Sequence, residues 1–170
     1  VTTAGATAGT RYVTVTGSDA DNSCLVSTLP CRTVQYAVAQ AVAGDEVLIA
    51  TGVYTNPYMV VDGRLAYVDK TLRLAGGYTT SVWNTSDPEV NPTVLDGEGL
   101  GTVVYAETAG ITVTMSGLTL QRGSGYGVYM QNSRLVMTSC EVLSGTSGSA
   151  VYLQTSAGSE VQDSRIVGNT

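Results

Sequence analysis

Apolar and polar positions alternate in three segments that repeat one another: Val104-Tyr105-Ala106-Glu107-Thr108, Val128-Tyr129-Met130-Gln131-Asn132 and Val151-Tyr152-Leu153-Gln154-Thr155, spaced 24 and 23 residues apart. A second apolar pattern follows each: Met115-x-x-Leu118-x-Leu120, Met137-x-x-Cys140-x-Val142 and Val161-x-x-Ser164-x-Ile166, at spacings of 22 and 24. Two patterns keeping nearly one period are the signature of a solenoid, in which each repeat buries its apolar face only by stacking on its neighbours. Alternation of period two sends Val104, Val128 and Val151 inward with Ala106, Met130 and Leu153. It sends Tyr105, Tyr129 and Tyr152 outward with Glu107, Gln131 and Gln154. Equivalent residues of successive coils are expected ~4.8 Å apart, one strand spacing. A coil of this length holds two or three short strands with turns, and its Thr- and Gly-rich segments are poor helix formers.

Upstream, Thr33 to Ala43 carries a helical pattern, with Val34, Ala37, Val38, Ala41 and Val42 on one face. Thr33 fits an N-cap and Gly44 a stop. Strands are expected at residues 11–16, 46–50, 71–75 and 92–97. Residues 17–30 form a polar loop, and residues 77–92, with Trp83, Asp87, Pro88 and Pro92, a longer excursion. The organisation predicted is an extension over residues 1–10, then one domain over 11–170 with a capping helix near 33–43 and five or six coils. The fold class is all-β: a right-handed parallel β-helix with coils of about 22–25 residues.

Composition agrees: 170 residues with 20 Gly, 10 Tyr, no Phe and 13% charged residues favour strands and tight turns. The formal charge of −6, with no basic stripe, argues against nucleic acid. No apolar run approaches the ~18 residues needed to span a bilayer. The first residue is Val rather than Met, as expected of a processed, secreted chain.

The run Gly17-Ser-Asp19, then Pro30-Cys-Arg-Thr33-Val-Gln-Tyr-Ala-Val, then Ala43-Gly-Asp45-Glu-Val-Leu-Ile-Ala-Thr-Gly52-Val-Tyr54 resembles the opening of secreted right-handed parallel β-helix repeat proteins. That family has the broad fold of pectate lyases, and many members are bacterial surface proteins. The resemblance covers residues 12–54 through motifs and 95–170 through coil pattern. It implies a right-handed β-helix capped by the N-terminal helix. It does not imply catalysis, because one fold hosts enzymes, adhesins and structural proteins.

Cys24 and Cys31 bracket a Pro-containing loop and are expected to form a disulfide, worth roughly 2–3 kcal/mol by loop closure and indicating an oxidising, extracellular setting. Cys140 is expected to be a buried, unpaired member of a core column. With no histidine, the commonest general base and metal ligand is missing. Asp96-Gly97-Glu98 is the best carboxylate pair for glycoside chemistry and reads as a turn; Lys70 and Arg73 near Asp69 lack the acid cluster of a calcium-dependent lyase. Neither hydrolase nor lyase activity is expected. Asp19, Asp21 and Asn22 are oxygen ligands of the kind calcium takes, on a loop read chiefly as an Asx-rich turn. The Tyr105, Tyr129 and Tyr152 strip reads as a stabilising ladder first and a platform for sugar rings second. Asn84-Thr85-Ser86 matches a glycosylation acceptor.

The helix is expected to cover the N-terminal end of the stack, whereas the C-terminal end, with Ile166 and Val167, has no cap behind it. Residues 1–10, including Thr2, Thr3 and Thr7, are expected to act as a covering strand for another copy. The function read from this is an extracellular, non-catalytic structural or adhesive module that self-assembles. Its rivals are a carbohydrate-binding or polysaccharide-degrading β-helix and a fragment of a larger surface protein.

Overall fold

The computed structural model describes residues 7–57, 63–143, 145 and 148–167. Its elements are β1 (Thr10–Val13), α1 (Val34–Gln40), β2 (Glu46–Ala50), β3 (Gly52–Tyr54), β4 (Arg64–Tyr67), β5 (Leu72–Tyr78), β6 (Thr93–Asp96), β7 (Thr102–Ala106), β8 (Thr112–Ser116), β9 (Thr119–Gln121), β10 (Val128–Gln131), β11 (Arg134–Thr138), β12 (Glu141–Leu143), β13 (Val151–Gln154), β14 (Glu160–Gln162) and β15 (Arg165–Val167). They form three sheets, ordered β1-β2-β5-β8-β11-β14, β3-β6-β9-β12-β15 and β4-β7-β10-β13. Every strand pair within them is parallel. From β2 onward the chain visits the first, second and third sheets in turn, so each coil adds one strand to each: a parallel β-helix.

The registers follow the sequence repeat. Val104 pairs with Val128 and Val128 with Val151; Met115 pairs with Met137 and Met137 with Val161; Leu120 pairs with Val142 and Val142 with Ile166. Through the middle coils these columns are buried, as are Ala106, Met130, Leu118 and Cys140. In the last coil the same columns open: Leu153 and Val161 are 42% exposed and Ile166 48%.

In the last three coils, two-residue corners join the first sheet to the second. In each, the first residue is left-handed (Gly117 φ 62°, Ser139 φ 52°, Asp163 φ 47°), and the second begins the column Leu118, Cys140, Ser164. The left-handed conformation is held because Gly117 N–H donates to Thr138 O and Ser139 N–H to Gln162 O, which places each corner on the next. The excursion over 79–92 leaves at Gly76-Gly77, where a Cβ on Gly76 would strike the Gly117 carbonyl and Gly77 takes φ +87°. Trp83 returns from it to pack on Tyr12 and Tyr78 outside the first sheet.

The helix is shorter than expected. Thr33 caps it, its Oγ1 accepting the Tyr36 N–H at 3.2 Å, but it ends at Gln40 rather than at Gly44. Ala41 is already extended, and the Asp45 carboxylate captures the Val42 N–H at 3.0 Å, turning the chain early. The first strand also starts and stops earlier than the 11–16 expected, because the Gly17 N–H closes a turn onto Thr14 O. Gly9 N–H donates to Asp45 Oδ1, and Thr10 pairs with Glu46.

Capping of the N-terminal end is shared, where the sequence assigns it to the helix alone. The outer edge of β1 is covered by the loop from Cys24 to Cys31, through Tyr12 N–H to Cys24 O, Cys31 N–H to Tyr12 O and Thr14 N–H to Cys31 O (2.8–2.9 Å). Helix α1 packs on β1, β2 and β4, and its Gln35 Oε1 accepts the Tyr67 N–H at 2.7 Å.

Leu120 and Ile166 share one column at opposite burial, so they separate packing from position. Leu120→Ala is expected to lower stability by about 2–5 kcal/mol, and Ile166→Ala by less than about 1 kcal/mol, both measured by urea denaturation.

Candidate functional site

The outward tyrosines form a continuous stack. The rings of Tyr105 and Tyr129 lie 4.6 Å apart with 4° between planes, and those of Tyr129 and Tyr152 5.1 Å apart with 11°. Two further members and a cation escape the sequence reading. Tyr67 pairs with Tyr105 in register, ring centroids 5.9 Å apart, and the Arg64 guanidinium lies 4.0 Å over the Tyr105 ring and 5.0 Å from that of Tyr67. Tyr126 leans on both Tyr129 and Tyr152, at 5.2 Å from each. Tyr67 was hidden because its strand sits in an irregular coil, 38 residues before Tyr105 instead of 24. The hydroxyls reach two residues along their own strands: Tyr105 to Glu107 (2.7 Å), Tyr129 to Gln131 (3.1 Å) and Tyr152 to Gln154 (3.3 Å). Burial, then the hydrogen bond and charge of Glu107, push the Tyr105 phenol up to about 12.

This arrangement favours the ladder. A sugar ring binds an aromatic side chain through its face, and the faces of Tyr105 and Tyr129 are occupied by neighbouring rings and by Arg64. What the column offers outward is ring edges and hydrogen-bonded hydroxyls, on a surface stabilised by ~0.5–1.5 kcal/mol per stacked pair.

The expected bridge is present: Cys24 and Cys31 are joined, with Cα atoms 5.1 Å apart, and Cys140 is free and buried. Burial pushes the Cys140 thiol up, away from the reactive thiolate. The three oxygen ligands of the loop face different tasks. Asp19 accepts from the Arg32 and Thr33 N–H groups and the Thr33 hydroxyl. Asn22 donates to the Ser18, Leu29 and Pro30 carbonyls and accepts from the Cys24 N–H. Asp21 holds a left-handed turn at φ 50°. Among the described residues no cluster of three or more acids or cysteines is placed to hold a metal ion.

The acids weighed for catalysis are engaged in the fold. Asp96 is buried and receives Arg122 through Nε at 2.8 Å and Nη2 at 2.6 Å, together with Gln121 Nε2 and the Glu98 N–H. Arg73 bridges Glu46 and Ser116, and Lys70 bridges Asp69 and Val38 O. Asp45 was not singled out in the sequence, yet it is the most enclosed acid among the described residues. Fully buried, it gathers the Gly9 and Val42 N–H groups and Arg11 Nε at 2.8 Å. Its only sequence signal was its place in the family-like run.

A groove of about 810 Å³ follows the stacked corners of the first and second sheets. Its floor includes Thr119, Ser139, Glu141 and Asp163, and the excursion overhangs it with Thr85 and Glu89. Of the residues proposed for assembly, Thr2 and Thr3 lie outside the described residues, Thr7 is exposed, and Ile166 and Val167 sit on the last strand. Asn84 is exposed on the excursion.

The chain matches no protein-family model, no curated protein and no solved structure. The class defined by the coordinates alone is that of a parallel β-solenoid with one disulfide; no helix among the described residues is long and apolar enough to cross a membrane.

Asp45 and Asp96 both titrate below the ordinary aspartate value of 3.8: burial opposes their charge, but the N–H donors and the arginine on each outweigh it. A carboxyl lowered by folding contributes stability that is complete above its unfolded pKa and is lost as pH falls through the folded one. The urea midpoint is therefore expected to hold steady down to about pH 5 and to fall below 3.8. Asp45→Asn should cost about 3–5 kcal/mol by leaving Arg11 buried and unpaired. Asp96→Asn should cost less, because Arg122 can return to water.

Proposed function

We propose that the chain is an extracellular, non-catalytic β-solenoid module of the secreted, pectate-lyase-like parallel β-helix type, with a structural or adhesive role exercised by end-to-end self-association. The observation that carries this reading is the difference between the first and last described coils. The first strand's outer edge is covered by the disulfide loop, whereas β13, β14 and β15 present the continuing core columns as exposed Leu153, Val161 and Ile166. The covering loop is itself apolar on the outside, with Leu25, Val26 and Leu29 49%, 48% and 65% exposed. An apolar coil at one end and an apolar loop at the other suit a head-to-tail contact between copies, which builds a filament or layer unless the rotation closes. The bridge in the loop supports an oxidising location. Engagement of Asp45, Asp96 and Arg73 within the fold supports a role without catalysis.

A second reading is favoured by the corner groove, whose hydroxyls and carboxylates suit a neutral or amino-bearing polysaccharide better than a polyuronate. Under that reading, Glu89→Gln with Asp163→Asn abolishes binding to an immobilised glycan panel.

Self-association is tested by sedimentation and negative-stain microscopy across a concentration series. Wild-type protein should form end-to-end assemblies, while Ile166→Lys and Leu29→Lys should each remain monomeric with an unchanged β-sheet circular-dichroism signal. A wild-type chain that stays monomeric at high concentration overturns the proposal. A native product heavier than this chain supports the larger-protein reading in its place.

A further inference from the structure

Strands β1, β3 and β4 each have one edge with no strand beyond it among the described residues. Two of these edges are filled. In β1 the Tyr12 N–H and carbonyl are bonded by Cys24 and Cys31. In β4 the outward Tyr67 N–H donates to Gln35 Oε1 at 2.7 Å, and the Leu65 carbonyl accepts from Asn56 Nδ2 at 3.3 Å. The edge of β3 has no such cover. Gly52 N–H donates to Pro92 O, and Gly52, Val53 and Tyr54 run in register with Thr93, Val94 and Leu95. Alternate residues of a parallel strand turn their backbone groups to opposite sides. Gly52 and Tyr54 therefore face β6, and Val53 turns its N–H and C=O away from it. Neither group has a hydrogen-bond partner among the described residues.

Val53 lines a cleft of about 500 Å³ together with Val15, Asp19, Arg32, Thr33 and Pro57. Val15 and Val53 are 41% and 57% exposed, so the cleft has an apolar lining that the fold leaves bare. Asp19 is engaged within the fold, by the Arg32 and Thr33 N–H groups and the Thr33 hydroxyl. The Arg32 guanidinium is exposed and has no ion pair or hydrogen bond among the described residues. Every other cationic side chain is ion-paired or, as with Arg64, laid over a ring.

We propose that this cleft binds a short extended peptide of a partner protein, added as a strand along β3 and carrying a carboxylate side chain for Arg32. The peptide's carbonyl accepts from Val53 N–H and its own N–H donates to the Val53 carbonyl, the pairing that an open edge offers. Apolar side chains of the peptide suit Val15 and Val53. The unanswered guanidinium selects an acidic residue over a basic one through a charge-assisted hydrogen bond. The site is independent of the end-to-end contact, which uses the loop from Cys24 to Cys31 and the last described coil.

The test uses the whole chain, isotope-labelled for NMR, at a concentration where sedimentation finds monomer. The probes are acetylated, amidated pentapeptides of alternating Val and Ser, with one Glu walked through the positions and a Lys counterpart of each. In the free chain the Val53 amide should exchange with solvent far faster than that of Tyr54, which faces β6. The best Glu peptide, at ten times its Kd, should slow Val53 exchange about tenfold. Its Lys counterpart, or Arg32→Gln in the protein, should weaken binding about tenfold. Val53→Pro removes the outward donor and no ladder bond, a place where an edge strand accepts proline. It should abolish peptide binding with the β-sheet circular-dichroism signal unchanged; if it fails to fold, Arg32→Gln and the exchange contrast decide. A Val53 amide already slow in the free chain, no binding across the panel, or affinity unchanged by Arg32→Gln overturns the assignment. Protection of Val53 by raising the protein concentration alone makes a second copy the occupant and overturns the partner.

Discussion

The structure depends on a parallel backbone ladder that stays in register from coil to coil. Because each strand's donors and acceptors are taken by the strands above and below, a residue has no freedom to slide away from its equivalent ~4.8 Å along the stack. Every position must therefore tolerate its counterpart at close range, column by column. Inward columns meet this with apolar side chains, and outward columns with tyrosine on tyrosine. Charged columns meet it by alternation: Glu46 stands beside Arg73 and Glu141 beside Arg165, each directly paired and ion-bonded at 2.8 and 2.6 Å. Where charges could repeat, they do not, for Glu107 is followed by Gln131 and Gln154. The pairs are exposed and each contributes little, typically under ~1 kcal/mol, but like charges in those places would oppose the register throughout.

Where the ladder is interrupted, buried carboxylates take over the backbone's unpaired N–H groups. Asp45 does so between the end of α1 and β2, collecting Gly9 and Val42, and Asp96 does so at the turn after β6, collecting the Glu98 N–H. Each is balanced by one arginine, Arg11 or Arg122. The same need explains the disulfide loop. β1 pairs with β2 on one side, and on its other side the carbonyls of Cys24 and Cys31 and the N–H of Cys31 supply the partners. The bridge holds both segments against β1 at once.

The regular half of the molecule was legible because its signal is redundant. Two patterns with one period settled which of Val104 or Tyr105 points inward, and the structure keeps that register through three coils. The irregular half was less legible, since its coils differ in length: β5 and β8 are adjacent, yet Leu72 and its register partner Val113 are 41 positions apart in the chain, so Tyr67 and Arg64 could not be aligned with the tyrosine column by period. Local capping was read well at Thr33 and poorly at the helix end, because Asp45, a tertiary partner, decides where the helix stops. The left-handed Ser139 and Asp163 carry no local signal, as their conformation is imposed by the corner stacked beside them. The oxygen-rich loop showed donors and acceptors without showing that Asp19 accepts from the Arg32 and Thr33 N–H groups and Asn22 bonds Ser18, Cys24, Leu29 and Pro30.

The most direct test of the in-register ladder is a distance between two outward positions of one column. Thr114, Val136 and Glu160 are successive members in the first sheet. Nitroxide labels at Thr114→Cys and Glu160→Cys, in a Cys140→Ser background with the native bridge intact, should sit two strand spacings apart, about 10 Å along the stack, and show strong dipolar broadening. Labels separated by many strand spacings, with no broadening in a protein that retains its β-sheet signal, would contradict the stacking of β8, β11 and β14 and with it the account of the whole fold.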